Sequence, residues 1–303
     1  MSKMMSNKNW NSQNIPDQKD KVVIITGATS GLGKEAAKIF AEKGATVIMP
    51  VRNTEKAKTV REEIMKTKPN AKIDIRSLDL SSLNSIKLFT DEISKSYNQL
   101  DILINNAGIM YCPYSKTQDG FEMQMGTNHF GSYALTAQLM PLLMKTANSR
   151  IVNTASLAHL TGNIDFDDIN WEHRKYKTMQ AYADSKIANL YFHYELVKKL
   201  KGQKNVPLVI AAHPGWTKTE LDRHIGIVGL ISTIIGQKVE MGVLPTLRAA
   251  IDPDAISGDY FGPSGFREMR GYPIKVKANA MAQNAQKAEQ LWLLSEKLTG
   301  IKY

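Results

Sequence analysis

Short runs of consecutive apolar residues alternate along the chain with longer stretches whose apolar positions recur every three or four residues. Continuous apolar runs bounded by turn residues are the mark of strands buried on both faces, and the longer period is that of helices laid against them. On this pattern strands are predicted over 21–26, 45–49, 72–78, 100–105, 150–154 and 207–212, with a short last one over 258–261. Helices are predicted over 31–43, closed by Gly44, over 55–68, ended by Pro69, and over 82–97, with Ser81 as cap. A long helix falls within 117–146 and another over 180–201, followed by 240–250 and a terminal amphipathic helix over 278–298. This rhythm predicts an α/β fold, a doubly wound parallel sheet of about seven strands with helices on both faces. No linker, repeat or low-complexity tract divides it, so residues 20–303 read as a single domain behind a polar N-terminal extension, 1–19.

Composition narrows the chemistry. Of 303 residues, 43% are hydrophobic and 22% charged, which excludes bulk disorder. One cysteine excludes an intramolecular disulfide framework and multi-cysteine metal centres, and the six histidines show no ligand spacing, so no metal is expected. The net charge of +10 raises nucleic acid as a partner, but basic residues are interleaved with acids, as in Glu55-Lys56-Ala57-Lys58 and Arg61-Glu62-Glu63. That is the pattern of solvated helix faces, and no nucleic-acid partner is expected. The first twenty residues carry no apolar core of a signal peptide, and the longest apolar stretch, 225–236, is twelve residues, short of the ~20 that span a bilayer. The expected location is therefore cytoplasmic.

Thr26-Gly27-Ala28-Thr29-Ser30-Gly31-Leu32-Gly33 joins the first strand to the first helix. Glycines there let a pyrophosphate approach the backbone, and the helix start offers N–H groups and a positive dipole end. The GxxxGxG spacing resembles the short-chain dehydrogenase/reductase family. Further marks of that family stand in order: Asn105-Asn106-Ala107-Gly108 after the fourth strand, Asn128 within Thr127-Asn128-His129-Phe130-Gly131, Ser156 after the fifth strand, Tyr182-Ala183-Asp184-Ser185-Lys186, and His213-Pro214-Gly215 after the sixth. The segments 152–159, 165–171 and 185–189 are similar to the retinol dehydrogenase-like branch, whose substrates are largely lipophilic alcohols and carbonyls. The resemblance implies a Rossmann-like, NADP-binding catalytic domain with a substrate-covering segment at about 216–240. It implies cofactor contacts at Gly27, Thr29, Ser30, Gly31, Leu32, Gly33, Arg52, Asn53, Asp79, Leu80, Asn106, Ala107, Gly108, Tyr182, Lys186, Pro214, Gly215, Thr217 and Thr219. Related proteins pair the two long helices, 117–146 and 180–201, across dimers, so a homodimer is one expectation; the alternative is that these helices are covered differently here, and the oligomeric state stays open.

Cofactor choice is read at the end of the second strand, where an NAD site carries Asp or Glu for the ribose hydroxyls. Here the corner is Pro50-Val51-Arg52-Asn53, without an acid. Arg52 suits a 2′-phosphate, so NADP(H) is expected over NAD(H); the alternative is an exposed loop arginine. Asp79 matches the family's adenine-contacting acid, or else serves a turn or cap. Hydride transfer at a carbinol carbon needs a group that exchanges the hydroxyl proton. A tyrosine, whose free pKa is near 10, becomes a competent base when a lysine ammonium favours its phenolate. YxxxK occurs at Tyr182/Lys186 and again at Tyr194/Lys198. Only the first pair lies at a helix start, the edge where a parallel sheet binds ligands; Tyr194 is about 18 Å further along the axis and is assigned to packing or surface. Ser156 is placed to hydrogen-bond the substrate oxygen, or else is a strand-end turn serine. Asn128 matches the family asparagine that extends a proton relay from the lysine. The catalytic set is thus Asn128, Ser156, Tyr182 and Lys186.

The expected function is an NADP(H)-dependent oxidoreductase of a small apolar alcohol or carbonyl compound. A dinucleotide-binding regulator without turnover is the alternative, against which the complete catalytic set argues. The stretch Ile225-Gly226-Ile227-Val228-Gly229-Leu230-Ile231-Ser232-Thr233-Ile234-Ile235-Gly236 is too apolar to be left in water as a patch. Core, subunit contact, membrane-surface contact and substrate lid all remain open for it.

Overall fold

In the computed structural model, which describes residues 9–217 and 236–303, the apolar runs pair side by side in one sheet. In chain order the main elements are β1 (Val22–Ile25), α1 (Gly31–Glu42), β2 (Thr46–Val51), α2 (Thr54–Thr67), β3 (Lys72–Ser77), α3 (Leu83–Ser96) and β4 (Ile102–Asn105). A single helical turn, Met123–Met125, then runs through a π turn, Gly126–Phe130, into α4 (Gly131–Lys145). After it come β5 (Arg150–Thr154), α5 (Thr178–Leu200), β6 (Leu208–Ala212), α6 (Leu244–Ile251), β7 (Tyr260–Pro263), β8 (Pro273–Val276) and α7 (Ala285–Thr299). The strand order is β3-β2-β1-β4-β5-β6-β7-β8, parallel throughout except for β7 with β8.

Side chains alternate across a strand, so each central strand feeds two layers. Val23 and Ile25 of β1 point into the layer formed with α1, α2 and α6, among Phe40, Ile64 and Leu247. Val22 and Ile24 point into the opposite layer, among Phe89 of α3, Leu139 of α4 and Leu196 of α5. Ile24 stands opposite Ile48 on one side and Leu103 on the other. The sheet reverses direction at β1, whose neighbours β2 and β4 lead away to opposite edges. Such a switch point leaves a crevice at the carboxyl ends of the strands.

Several predicted details are corrected. Among the described residues the sheet has eight strands, the last an antiparallel edge strand of four residues. Ser82, not Ser81, caps α3: its Oγ accepts from Ser85 N at 3.3 Å, whereas the Ser81 N–H and hydroxyl are both spent on Asp79 Oδ1, at 2.9 and 2.7 Å. The long helix predicted within 117–146 is present there, its helical run starting at Met123 after Thr117 and Phe121 close a hydrogen-bonded turn. The terminal helix starts at Ala285 rather than 278, with Asn284 Oδ1 accepting from Lys287 N as its cap. Residues 9–19 lie against the domain: Trp10 and Ile15 are buried beside α1 and β2, and the Lys43 ammonium donates to Ile15 O at 2.7 Å. Most of the stretch 225–236, and with it Thr219, lies outside the described residues. Among the described residues no helix is long and apolar enough to cross a membrane.

The exposed faces that α4 and α5 would otherwise leave are met within the chain by α7 and the C-terminal residues. Tyr133, Phe192, Trp292 and Tyr303 form one aromatic cluster, with Phe192 and Trp292 stacked 6.1 Å apart. The Tyr133 hydroxyl donates to Ile301 O at 3.0 Å, and the Tyr303 hydroxyl to Tyr133 O at 3.0 Å. Trp292 is only 3% exposed. Removing its ring is expected to leave a cavity and to lower the unfolding free energy of Trp292→Ala by about 3–5 kcal/mol in urea titrations. A loss below ~1 kcal/mol would show that α7 is not integral to the core.

Candidate active site

The crevice at the switch point is a cleft of about 700 Å³. Its floor is the turn between β1 and α1. Gly27 takes φ +69°, a conformation that L side chains rarely adopt, and this bends the chain back over the helix start. A Cβ on Gly33 would stand 2.2 Å from Gly27 O and 2.5 Å from Asn106 Nδ2, so only glycine lets α1 approach β1 and β4 this closely. Ser30 precedes the helix in extended conformation and its side chain makes no capping hydrogen bond. The bare start of a twelve-residue helix, beside a glycine cradle, fits the pyrophosphate of a dinucleotide.

The turn is stitched to β4 by Thr26. Its Oγ1 accepts from the backbone N–H of Asn106 at 3.0 Å and of Ala107 at 2.9 Å. In return, Asn106 Nδ2 donates to Thr26 O at 2.9 Å. At the outer end, the β2 corner contributes Pro50, Val51, Arg52 and Asn53. Arg52 is exposed at the cleft, and Asn53 caps α2 by accepting from Lys56 N at 3.0 Å. Lys56 lines the same end. Asp79 and Leu80 form the wall opposite; one Asp79 oxygen holds the Ser81 turn, so the turn role weighed for it is present alongside its place in the cleft.

At the inner end stand Ser156, Tyr182 and Lys186. Ser156 follows β5 and caps a 3-10 turn, its Oγ accepting from Ala158 N at 3.2 Å. Tyr182 and Lys186 project from the first turns of α5, with the Lys186 ammonium 5.6 Å from the centre of the tyrosine ring. Lys186 is 4% exposed, and burial pulls its pKa down from 10.5 to about 8. Asn128 sits one layer back, in the π turn. Its Nδ2 donates to Ile109 O at 3.0 Å and to Ser185 Oγ at 2.9 Å, and its Oδ1 accepts from Ile109 N at 2.8 Å. A π turn misaligns the helical ladder and is common at functional sites, which explains how a mid-helix asparagine is tolerated here. A Cβ on Gly108 would lie 3.1 Å from Asn128 Oδ1 and 3.3 Å from the lysine ammonium, so the three groups meet at one point.

Of the residues picked out in the sequence, all the cofactor and catalytic candidates line the cleft except Asn128, which lies behind its wall, and Thr219, which is outside the described residues. Tyr194 is not among the lining residues; it packs half-buried, edge-on to His193 at 4.8 Å. Neither nearby histidine makes a catalytic triad. His159 Nδ1 is 2.6 Å from Ser156 O, and burial lowers its pKa. His129 is fully buried with its Nε2 2.8 Å from Ser295 Oγ, and burial brings its pKa to about 3. Sequence reasoning missed Met110, Tyr111, Leu157 and Met179, which with Trp216, the start of the expected substrate-covering segment, supply an apolar lining around the catalytic groups. Tyr111 has φ +57° and its ring stands edge-on to Tyr182 at 5.2 Å. The available signal was the apolar continuation Ile109-Met110-Tyr111 directly after Asn-Asn-Ala-Gly.

Residues 21–226 match the family model described as short chain dehydrogenase. Human retinol dehydrogenase 13 is 40% identical over 294 residues, covering 93% of this chain and 85% of that protein. Human retinol dehydrogenase 11 is 39% identical over 287 residues, with 93% and 86% covered. Among solved structures, an uncharacterized protein from Mycobacterium paratuberculosis superposes with a TM-score of 0.81 at 36% identity, over 97% of this chain and 99% of that one. A short chain dehydrogenase from Shigella flexneri complexed with NADP gives 0.56 at 28% identity, over 68% and 82%.

The buried lysine carries a stability cost with a definite sign. Unfolded, it titrates near 10.5; folded, near 8. Between those values the unfolded chain holds more protons, so this group makes stability rise with pH, and below about pH 8 the whole penalty of roughly 3 kcal/mol is present. Lys186→Met is therefore expected to unfold at higher urea than the wild type near pH 7 without cofactor, with the gain shrinking toward pH 10.5. Equal stability of the two near pH 7 would refute the burial cost.

Proposed function

The chain belongs to the short-chain dehydrogenase family, in its retinol dehydrogenase-like branch, and is an oxidoreductase of CH–OH groups with a nicotinamide cofactor; on that premise we propose that it prefers NADP(H) and acts on a small, apolar alcohol, aldehyde or ketone. The observation that carries the cofactor preference is the β2 corner, where Arg52 lines the cleft and no acid accompanies it. A guanidinium there suits a 2′-phosphate, and the corner itself, residues 50–53, offers no carboxylate to the ribose hydroxyls. Support for an apolar substrate comes from Met110, Leu157, Met179 and Trp216 around the catalytic groups.

When bound, the nicotinamide ring supplies the hydride donor or acceptor. The chain supplies the rest. Ser156 holds the substrate oxygen and stabilises its developing charge. Tyr182 exchanges a proton with that oxygen, taking it from an alcohol or giving it to a carbonyl. The Lys186 ammonium, buried beside the tyrosine ring, favours the phenolate and would hold the ribose of a bound cofactor. Asn128 fixes the backbone of Ile109 and with it the loop over the site. A homodimer through α4 and α5 would have to form around α7, which already covers them.

Two sets of variants test this. Tyr182→Phe is expected to lower kcat by ~10² or more with cofactor affinity little changed, while Tyr194→Phe stays near wild type. Cofactor binding by the wild type without turnover of any member of a carbonyl panel would favour the regulator instead. Arg52→Asp is expected to raise the KM for NADPH and improve NADH relative to it, since a carboxylate repels the 2′-phosphate and accepts from ribose hydroxyls. A wild type with the higher kcat/KM for NADH would sink the cofactor preference.

A further inference from the structure

Behind the catalytic wall lies a buried polar cluster that lines no part of the cleft. Glu122 is fully buried. Its Oε1 accepts from Gln124 N at 2.9 Å and from the Tyr176 hydroxyl at 2.8 Å, and its Oε2 accepts from Met125 N at 2.7 Å. Gln124, also fully buried, uses both ends of its amide. Its Oε1 accepts from Tyr111 N at 2.8 Å, and its Nε2 donates to Tyr176 Oη at 2.8 Å and to Thr178 O at 3.0 Å.

These partners belong to three segments of the active site. Tyr111 is the loop residue whose ring abuts Tyr182. Thr178 opens α5, one turn before Tyr182. Glu122 caps the helical run that holds Asn128. One amide thus sets the two supports on either side of the proton-exchanging tyrosine, and one carboxylate sets the start of the asparagine's helix. A carboxylate and an amide in an apolar interior are costly unless every partner is in place, so the cluster is satisfied only when the three segments are in register.

We infer that Gln124, with Glu122 and Tyr176, is a positioning element for hydride transfer, aligning Tyr182, Lys186 and Asn128 without touching substrate or cofactor. The inference rests on the catalytic reading above. Misplacement of a reacting group by about 1 Å costs as much as 10² in rate, so loosening this element should act on the chemical step and leave binding alone.

The test uses the full chain, NADPH and a straight-chain aliphatic aldehyde, with three variants: Gln124→Met, Tyr176→Phe and, as reference, Tyr182→Phe. Gln124→Met is expected to lower kcat by roughly ten-fold or more, with the KM for aldehyde and the Kd for NADPH within about two-fold of wild type. With NADPH dideuterated at the reactive ring carbon, its kinetic isotope effect on kcat should rise above the wild-type value, because the chemical step becomes more fully rate-limiting. Tyr176→Phe removes one half-buried hydroxyl and keeps the ring; it should fold normally and show a smaller change of the same kind, which keeps the test open if Gln124→Met does not fold. Folded variants with wild-type kcat and isotope effect, and only a lower Tm, would overturn the inference while Tyr182→Phe still abolished turnover. If Tyr182→Phe turned over normally, the catalytic reading itself would fall, and the positioning role with it.

Discussion

The site depends on how the sheet parts at its switch point. β1 and β4 are neighbours, yet the chain leaves them in different directions, and a crevice opens at their carboxyl ends. Thr26 keeps that crevice from splaying. One side-chain hydroxyl takes two backbone N–H groups of the β4 loop, and the Asn106 amide returns a bond to Thr26 O. With the two loops held, Gly33 can press against Gly27 and α1 presents its bare start to the cleft. Arg52, Ser156 and Lys186 come from other strands and helices, but the distances between them are set by this frame.

Much of this architecture was legible because parallel strands are buried on both faces. β1, β6, most of β2 and the first three residues of β4 are apolar residue after apolar residue, and the glycine turn stands between a strand and a helix, where a phosphate cradle belongs. The choice of Tyr182 over Tyr194 was legible too, since one sits at a helix start and the other twelve residues on. β8 was hidden because it is four residues long, begins with proline and keeps its two central residues exposed on the sheet edge. The start of α7 was misplaced because Ala278 and Ala282 are buried without being helical, and burial was read as helical period. The π turn is hard to see in periodicity because it spans only five residues, all of them buried, so the one-residue shift of phase across it is not marked by any polar face.

The Glu122 cluster was illegible for a different reason. Apolar patterning scores the residues that leave water readily, and a buried Glu and Gln with a half-buried Tyr 54 positions from the Glu form no stripe. Only the fold brings position 176 beside 122 and 124. The same holds for Asn128, whose family resemblance marked it but whose partners, Ile109 and Ser185, lie 19 and 57 positions away.

Lys186 and Gln124 share one logic. Each buries a polar group that water would solvate better, and each is tolerable only because its neighbours are fixed. For the lysine the cost is visible as a pKa drawn down to about 8, which still leaves it largely charged near neutral pH and close to the phenol it must influence. For the glutamine the cost is offset by both N–H donors and by one bond to the carbonyl oxygen of the amide. An apolar side chain in place of Lys186 would make a more stable protein near neutral pH, as replacement of a buried charge often does, whereas one in place of Gln124 would remove a hydrogen-bond partner from Tyr111 N, Tyr176 Oη and Thr178 O. It would also let the Tyr111 loop and the start of α5 settle independently. The hydrogen bonds behind the wall tie the Tyr111 loop to the start of α5, the helix that carries both the tyrosine and the lysine.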